Sequence, residues 1–382
     1  MIGGGNVSTT PEPKPSPAPD DRYFTASQWQ LVWWRFRRHR VALFGGWVLL
    51  IMAILGTFAG FFAPYGGTTR DRDYVLGPPQ MIKFWDQNGF SFRPFVQGFR
   101  TERDPVTLQK IAIIDPDVRR YLTLFVRGDK YRLLGLVKTD IHFFGVDKGK
   151  IHIFGTDDLG RDLFSRTLFG TGTSMSIGLI GVLLSFVLAL IIGGIAGYLG
   201  GWIDYLIQRA TEIVRVVPVI PLFMGLAAAF PKEWSNLQVY FAMTVVLGLL
   251  GWPTLARRIR GQLLSQRNED YVLAAVLAGS STYRVISRHL LPSFTSYIIV
   301  DLVITFPYTI LSETALSFVG LGLRPPSISW GILLQDAQNI RAIEQAPWLF
   351  SPAAFVVVAV LAFTILGDGL RDAADPYTVS KG

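Results

Sequence analysis

The sequence predicts an all-α polytopic membrane protein: six transmembrane helices, with a small β-rich extracytoplasmic insertion after the first helix. Three observations carry this reading. Half of the 382 residues are hydrophobic, only 17% are charged, and the mean hydropathy is +0.36, whereas soluble domains carry about 25% charged residues. Uncharged runs cover 167–203 (37 residues), 234–256 (23 residues) and 345–367 (23 residues), and about 20 apolar residues rising 1.5 Å each cross a bilayer. Residues 64–155, by contrast, are charged, contain Pro and Gly, and alternate like strands. Soluble enzymes, disordered chains and fibrous proteins are excluded.

Residues 1–28 hold the Pro-rich run PEPKPSPAPD, which cannot bury a core, and are expected to be a disordered cytoplasmic tail. The first apolar stretch starts only near Val41, too late for a secretory signal. Residues 29–63 combine a lead-in with the first span. WWRFRRHR (33–40) sets two tryptophans and four arginines ahead of the apolar run, an anchor that orients the N-terminus inward.

In the insertion 64–155, the segments 121–126 and 131–136 flank the turn signal Arg127-Gly128-Asp129-Lys130. Segments 141–146 and 151–154 flank Asp147-Lys148-Gly149-Lys150, so two hairpins are expected. The lysines and arginines here fall on the outer side, which long loops tolerate. A core at 156–372 supplies five further spans near 171–199, 205–229, 238–257, 295–318 and 352–370, and a cytoplasmic tail 373–382 follows. An even count places both termini in the cytosol. The charge bias agrees: the loop 257–292 carries Arg257, Arg258, Arg260, Arg267, Arg284 and Arg288, the two short outer loops only Lys232, Arg324 and Arg341.

Chemistry is sparse. There is no cysteine, so disulfides, thiolate metal sites and cysteine nucleophiles are excluded. No GxxxxGK[ST], HExxH or GxSxG occurs, and the four histidines, His39, His142, His152 and His289, are scattered. No enzyme activity, metal or cofactor is therefore expected in this chain. The net charge of +8 fits the positive-inside rule, and no soluble basic face is left for nucleic acid.

The loop 257–292 is distinctive. Asn268 can cap a helix whose first turn holds Glu269 and Asp270; 271–278 is small and apolar; Gly279 is a natural stop. Ser281 or Thr282 can cap a second short helix ending before Pro292. An apolar helix displayed in the cytosol is costly unless covered. Residues alone leave two readings open: a docking helix for a soluble partner, or a helix folded back on the membrane face.

This loop resembles the EAA signature of ABC importer permeases. Leu273-Ala274-Ala275, Gly279 and Leu291-Pro292 fall at that spacing, with Leu273 standing where the family usually has Glu. GTDDLGRDLFSRTLFG (155–170), SETALSFVGLGLRPPSISWGILL (312–334) and LGDGLRDAADP (366–376) resemble segments of the dipeptide/oligopeptide/nickel class, second-permease type; Asp204, Arg209, Glu212 and Pro218 match a pattern at its third span. Gly172 departs from it, occupying a place where the class commonly has Arg. The resemblance implies a sister permease completing a heterodimer, two ATP-binding cassette subunits that hold ATP and Mg²⁺, an extracytoplasmic substrate-binding protein, and an inner-membrane location. It assigns ATPase coupling to Asp270, Tyr271, Leu273, Ala274, Ala275, Gly279, Arg284 and Pro292. Peptides are the leading substrate; relatives carry oligosaccharides, opines or nickel. A channel or secondary transporter not driven by ATP would explain the spans but not the displayed helix.

Three residues on the fifth span are candidates for the translocation path: Asp301, Pro307 and Glu313. A charge at mid-bilayer costs at least ~2.5–3.5 kcal/mol, so Asp301 should face a partner or a wet cavity. It either lines the path and favours cationic substrates, or is neutralised by protonation or by the sister subunit. Pro325, Pro326 and Trp330 suggest an outer-mouth loop, which the resemblance places near the docked binding protein; Trp330 also suits an aromatic belt. Gly193, Gly194 and Gly197 are expected to allow close helix packing, Pro218 and Pro221 to break the third span, and Glu212 to pair with Arg215.

Overall fold

The computed structural model describes residues 28–87, 89–103, 110–231, 233–339 and 344–375. Most of the expected N-terminal tail, the end of the C-terminal tail, Lys232 and Arg341 lie outside these. The amphipathic lead-in is α1 (Gln28–Arg38), followed by α2 (Arg40–Thr57) and a single turn, Ala59–Phe62. Strands β1 (Lys83–Asp86), β2 (Gly89–Arg103), β3 (Lys110–Leu133) and β4 (Val137–Val146) form the insertion. The core holds α3 (Leu163–Leu199), α4 (Gly201–Val216), α5 (Val219–Ala229), α6 (Asn236–Gln266), α7 (Asp270–Leu277), a helical run at 282–293, α8 (Thr295–Phe318), α9 (Trp330–Asp336) and α10 (Ser351–Ala374).

Among the described residues five helices are long and apolar enough to cross a membrane: α2, α3, α6, α8, and α10 with the turn before it. The segment expected as a single span at 205–229 is two helices instead. Proline restricts the residue before it to extended backbone and lacks an N–H, and Val217 (ψ 120°) and Pro218 (ψ 121°) separate α4 from α5 there.

Glycines set the closest helix approaches. A Cβ at Gly193 would sit 2.5 Å from the Ala256 carbonyl oxygen, and one at Gly197 2.8 Å from Leu263 Cβ, so these two bring α3 against α6. Gly194 faces open space and has no such role. Gly172 gains a reason as well: a Cβ there would lie 2.7 Å from the Gly56 carbonyl oxygen, where α2 crosses α3. An arginine has no room at that crossing.

The insertion is an antiparallel meander in the order β1-β2-β3-β4. Its turns differ from expectation. Arg127–Lys130 does not reverse the chain; β3 runs through it with a slip in register between Arg127 and Tyr131. Gly128 lies under the His142 ring, and the Asp129 carboxylate accepts from Gly66 N (2.8 Å) and Thr69 Oγ1 (2.5 Å). The segment is pinned to the loop after α2, so it bulges instead of turning. The reversal falls at Leu134 (φ 51°) and Gly135 (φ 74°). Gly149 (φ 84°) does turn the chain, but 151–154 forms no strand; Ile151 is buried under the sheet beside Val96 and Val146.

A buried polar cluster joins the insertion to α3. His152 Nδ1 donates to Asp162 Oδ1 (2.9 Å), its Nε2 faces Asp71 Oδ2 (3.7 Å), and Lys150 Nζ lies 3.1 Å from the same oxygen. Asp162 also caps α3 by accepting from Ser165 N (2.7 Å). Burial disfavours charge on His152, yet the hydrogen bonds to Asp162 and Asp71 outweigh it and raise the imidazole above 6.5. Burial likewise opposes the Asp71 carboxylate, but His152 and Lys150 hold it below 3.8. A raised histidine stabilises fully below its unfolded value and loses that contribution as pH climbs through the folded one. A depressed carboxylate stabilises above its unfolded value and loses it as pH falls through the folded one. The junction is therefore expected to loosen on alkalinisation above 6.5, and on strong acidification. Hydrogen exchange of 71–80 and 150–156 across that range should show the alkaline limb, and His152→Gln should remove it; equal protection at every pH would refute the assignment.

Candidate functional site

Helix α7 begins at Glu269 as cap, one residue later than Asn268, and Asp270 places its charge in the first turn. Its end is a Schellman motif: Gly279 N donates to the Val276 carbonyl (2.9 Å) and Ser280 N to the Ala275 carbonyl (3.1 Å), with Gly279 at φ 77°. Ser281 Oγ then accepts from Arg284 N (3.4 Å), and the helical run continues through Pro292 to Ser293 rather than ending before the proline.

One face of this loop is anchored. Val272, Val285 and Leu290 are buried among Leu255, Ile259 and Leu263 of α6 and Ile298 of α8. The other face is bare: Asp270, Tyr271, Leu273, Ala274, Gly279, Arg284 and Pro292 are exposed, and Ala275 is half-buried. Leu277, 87% exposed, extends this apolar face. The loop thus hangs from the ends of two apolar helices and presents apolar and aromatic side chains outward.

Above it lies a cavity of about 1020 Å³ between α1, α6, α8 and α10, lined among others by Arg35, Arg258, Gln262, Ser296, Asp301 and Arg371. Asp301 is buried on α8 and pairs with Arg258 of α6. Its carboxylate has a cation within the chain, Arg258. Arg258 and Asp301 flank the loop on its two sides, so the pair ties together the helices from which α7 hangs. The Arg258 side chain is 41% exposed, so Asp301→Asn leaves a cation that water still reaches. We expect a cost nearer the ~1 kcal/mol of exposed pairs than the ~3–5 kcal/mol of buried ones. Uptake should fall for all substrates alike, and Arg258→Gln should cost little more on top of Asp301→Asn. A selective loss for cationic substrates would restore Asp301 to the path lining.

Pro307 and Glu313 do not reach this cavity. Both are buried on α8, and Glu313 accepts from Ser174 Oγ (3.0 Å) and Ser317 Oγ (2.9 Å). Ser174 Oγ also accepts from Trp330 N (3.2 Å), and Trp330 Nε1 donates to Thr171 Oγ1 (3.2 Å). Trp330 is wholly enclosed, which corrects two expectations: it is neither a belt anchor nor a docking surface. Arg324, Pro325 and Pro326 are the exposed residues there.

Two further networks were not anticipated. Asp157 accepts from Arg161 Nε (2.6 Å) and from Arg166, and Arg166 Nη1 also reaches Asp336 Oδ2 (3.2 Å) on α9. The signal was present as Asp157/Arg161 and Asp162/Arg166, two acid–base pairs four apart. Asp204 pairs with Arg260, fastening α4 to α6. Glu212 pairs with Arg209 (2.7 Å) rather than Arg215.

The sequence profile of the binding-protein-dependent transport system inner membrane component matches residues 163–379. The chain belongs to that family. A second profile, the N-terminal transmembrane domain of oligopeptide transport permease C, matches residues 27–79. The chain is 40% identical over 223 residues to the dipeptide transport system permease protein DppC of Bacillus subtilis, covering 58% of this chain and 67% of that one. It is 29% identical over 359 residues to DppC of Lactococcus lactis, covering 92% and 91%. At 92% of this chain, that second match spans residues 64–155. A solved structure, the MetNI methionine ABC transporter in inward-facing conformations, is similar at TM-score 0.45 and 16% identity over 56% of this chain and 98% of that one. The protein is thus a multi-pass inner-membrane permease component, and hydrolysis of ATP belongs to separate subunits.

Proposed function

We propose that this permease forms half of the translocation pathway of a peptide importer, working by alternating access driven by partner ATPases. The observation that carries the reading is α7: an apolar, outward-facing helix held by its buried face to the ends of α6 and α8. A push on α7 moves both helices and with them the Arg258–Asp301 pair, which is the kind of two-state element coupling requires. Tyr271, Leu273, Ala274 and Gly279 would meet the ATPase, and Asp270, exposed three residues before Leu273, would supply the carboxylate that Leu273 lacks. ATP and Mg²⁺ would be held by two cassette subunits, since no phosphate-binding loop is present here. Relatives named for dipeptides and oligopeptides support peptides as cargo.

We read α4 and α5 together as a sixth, broken crossing, which puts both termini in the cytosol and 64–155 outside. A sister permease would complete a heterodimer, and Pro325 and Pro326 would line the mouth that meets the binding protein. The test is reconstitution of the full complex with its binding protein in proteoliposomes. ATP-dependent uptake of labelled peptide is expected, with no hydrolysis by this chain alone. Uptake that ignores ATP, or robust hydrolysis by the isolated chain, would overturn the reading.

A further inference from the structure

The tip of the β3–β4 ribbon is apolar and bare. Leu134, Leu136 and Val137 are 56%, 83% and 60% exposed, a costly display in water. Directly behind them Arg132 and Lys138 stand opposite each other in the register, a basic collar around a leucine tip.

Position says what this tip meets. The ribbon is stacked on the turn that ends the first crossing helix. Phe61 lies 6.4 Å from Phe125 and 5.8 Å from Phe143 between ring centroids, and a Cβ at Gly60 would sit 2.5 Å from the Tyr131 ring. Along the ribbon, Leu122 and Val146 cluster with Tyr65, Phe125 and Phe143 stand against Phe61, and Tyr131 covers Gly60. The strand therefore advances toward α2, that is, toward the membrane. At ~3.3 Å per residue the tip lies roughly 10–17 Å farther along. Helix α2 carries its own exposed apolar stripe of Val41, Phe44, Trp47, Ile51 and Ile54 at helical spacing.

We propose that Leu134, Leu136 and Val137 dip into the phospholipid bilayer beside α2, with Arg132 and Lys138 on lipid phosphates. Apolar side chains gain by burial among acyl chains, and basic residues at that depth find phosphate oxygens. The choice of the outer leaflet rests on the orientation proposed above; insertion itself does not. The contact fixes the insertion to the membrane at a point remote from its two chain connections.

The chain has no cysteine, so Leu136→Cys and, as a control, the almost fully exposed Phe92→Cys can each carry one environment-sensitive fluorophore. The assembled complex is placed in phosphatidylcholine/phosphatidylglycerol vesicles. The probe at 136 should emit to the blue, lose intensity with doxyl-labelled phospholipid and resist iodide; the probe at 92 should do the reverse. Iodide quenching at 136 would overturn the proposal, because the tip would lie in water. So would blue-shifted emission insensitive to doxyl lipid, because a protein would then cover it. Labelling Phe92→Cys in intact cells with an impermeant maleimide reads the orientation separately, so a wrong leaflet and an absent insertion give different results.

Discussion

Replacing Arg166 with methionine is expected to destabilise the permease by about 3–5 kcal/mol, enough to cut the yield of assembled complex severely. The guanidinium is almost fully enclosed in the first turn of α3, between Asp157 and Asp336. Removing it leaves two carboxylates facing each other that must share Arg161, and breaking a buried ion pair from one side costs about that much. Arg161 still reaches both acids, so Asp157→Asn, which removes one charge and keeps a hydrogen-bonding group, should be milder. Thermal unfolding of the detergent-solubilised complex separates the cases: a large drop for Arg166→Met, a smaller one for Asp157→Asn. Equal melting temperatures and yields for wild type and Arg166→Met would show that the network contributes nothing net.

This network also shows what the sequence could and could not display. Helices α2, α3, α6, α8 and α10 were legible because hydrocarbon demands long uncharged runs, a signal that survives without knowledge of neighbours. The α4–α5 break was legible only as a pair of prolines. Strand reversals were misplaced because the Arg-Gly-Asp-Lys turn signal is local, whereas Asp129 is committed to Gly66 and Thr69, some 60 residues away in sequence. The loop bearing α7 was legible for the same local reason that caps and glycine stops are: Gly279 is needed where φ is positive. Asp301 stood out as an anomaly, but its partner Arg258 lies 43 residues earlier and could be found only once α6 and α8 were side by side. Trp330 misled because an aromatic beside a proline loop looks interfacial until Thr171 and Ser174 are brought up to it.

Gly279→Val is expected to lower transport by roughly 5–30-fold while leaving membrane insertion and core stability intact. An added Cβ has nothing within 4 Å to strike, and at an exposed helix end the effect is conformational. At φ 77° an L-residue is strained by about 1–2 kcal/mol, and a β-branched one most of all. That energy is equivalent to a 5–30-fold change in the population of the Schellman-capped end. Val272, Val285 and Leu290 keep the loop anchored, so what is lost is the shape of the outward face that would meet the ATPase, not the fold. Gly279→Asn is the control, because asparagine tolerates the left-handed region and should retain most activity. Gly279→Asp should fall between them, tolerating the backbone but adding a charge to an apolar contact. Uptake and binding-protein-stimulated ATP hydrolysis should fall together in the valine variant. If Gly279→Val and Gly279→Asn transported equally, the geometry of this helix end would not matter to coupling, and α7 would be a passive cover for the ends of α6 and α8.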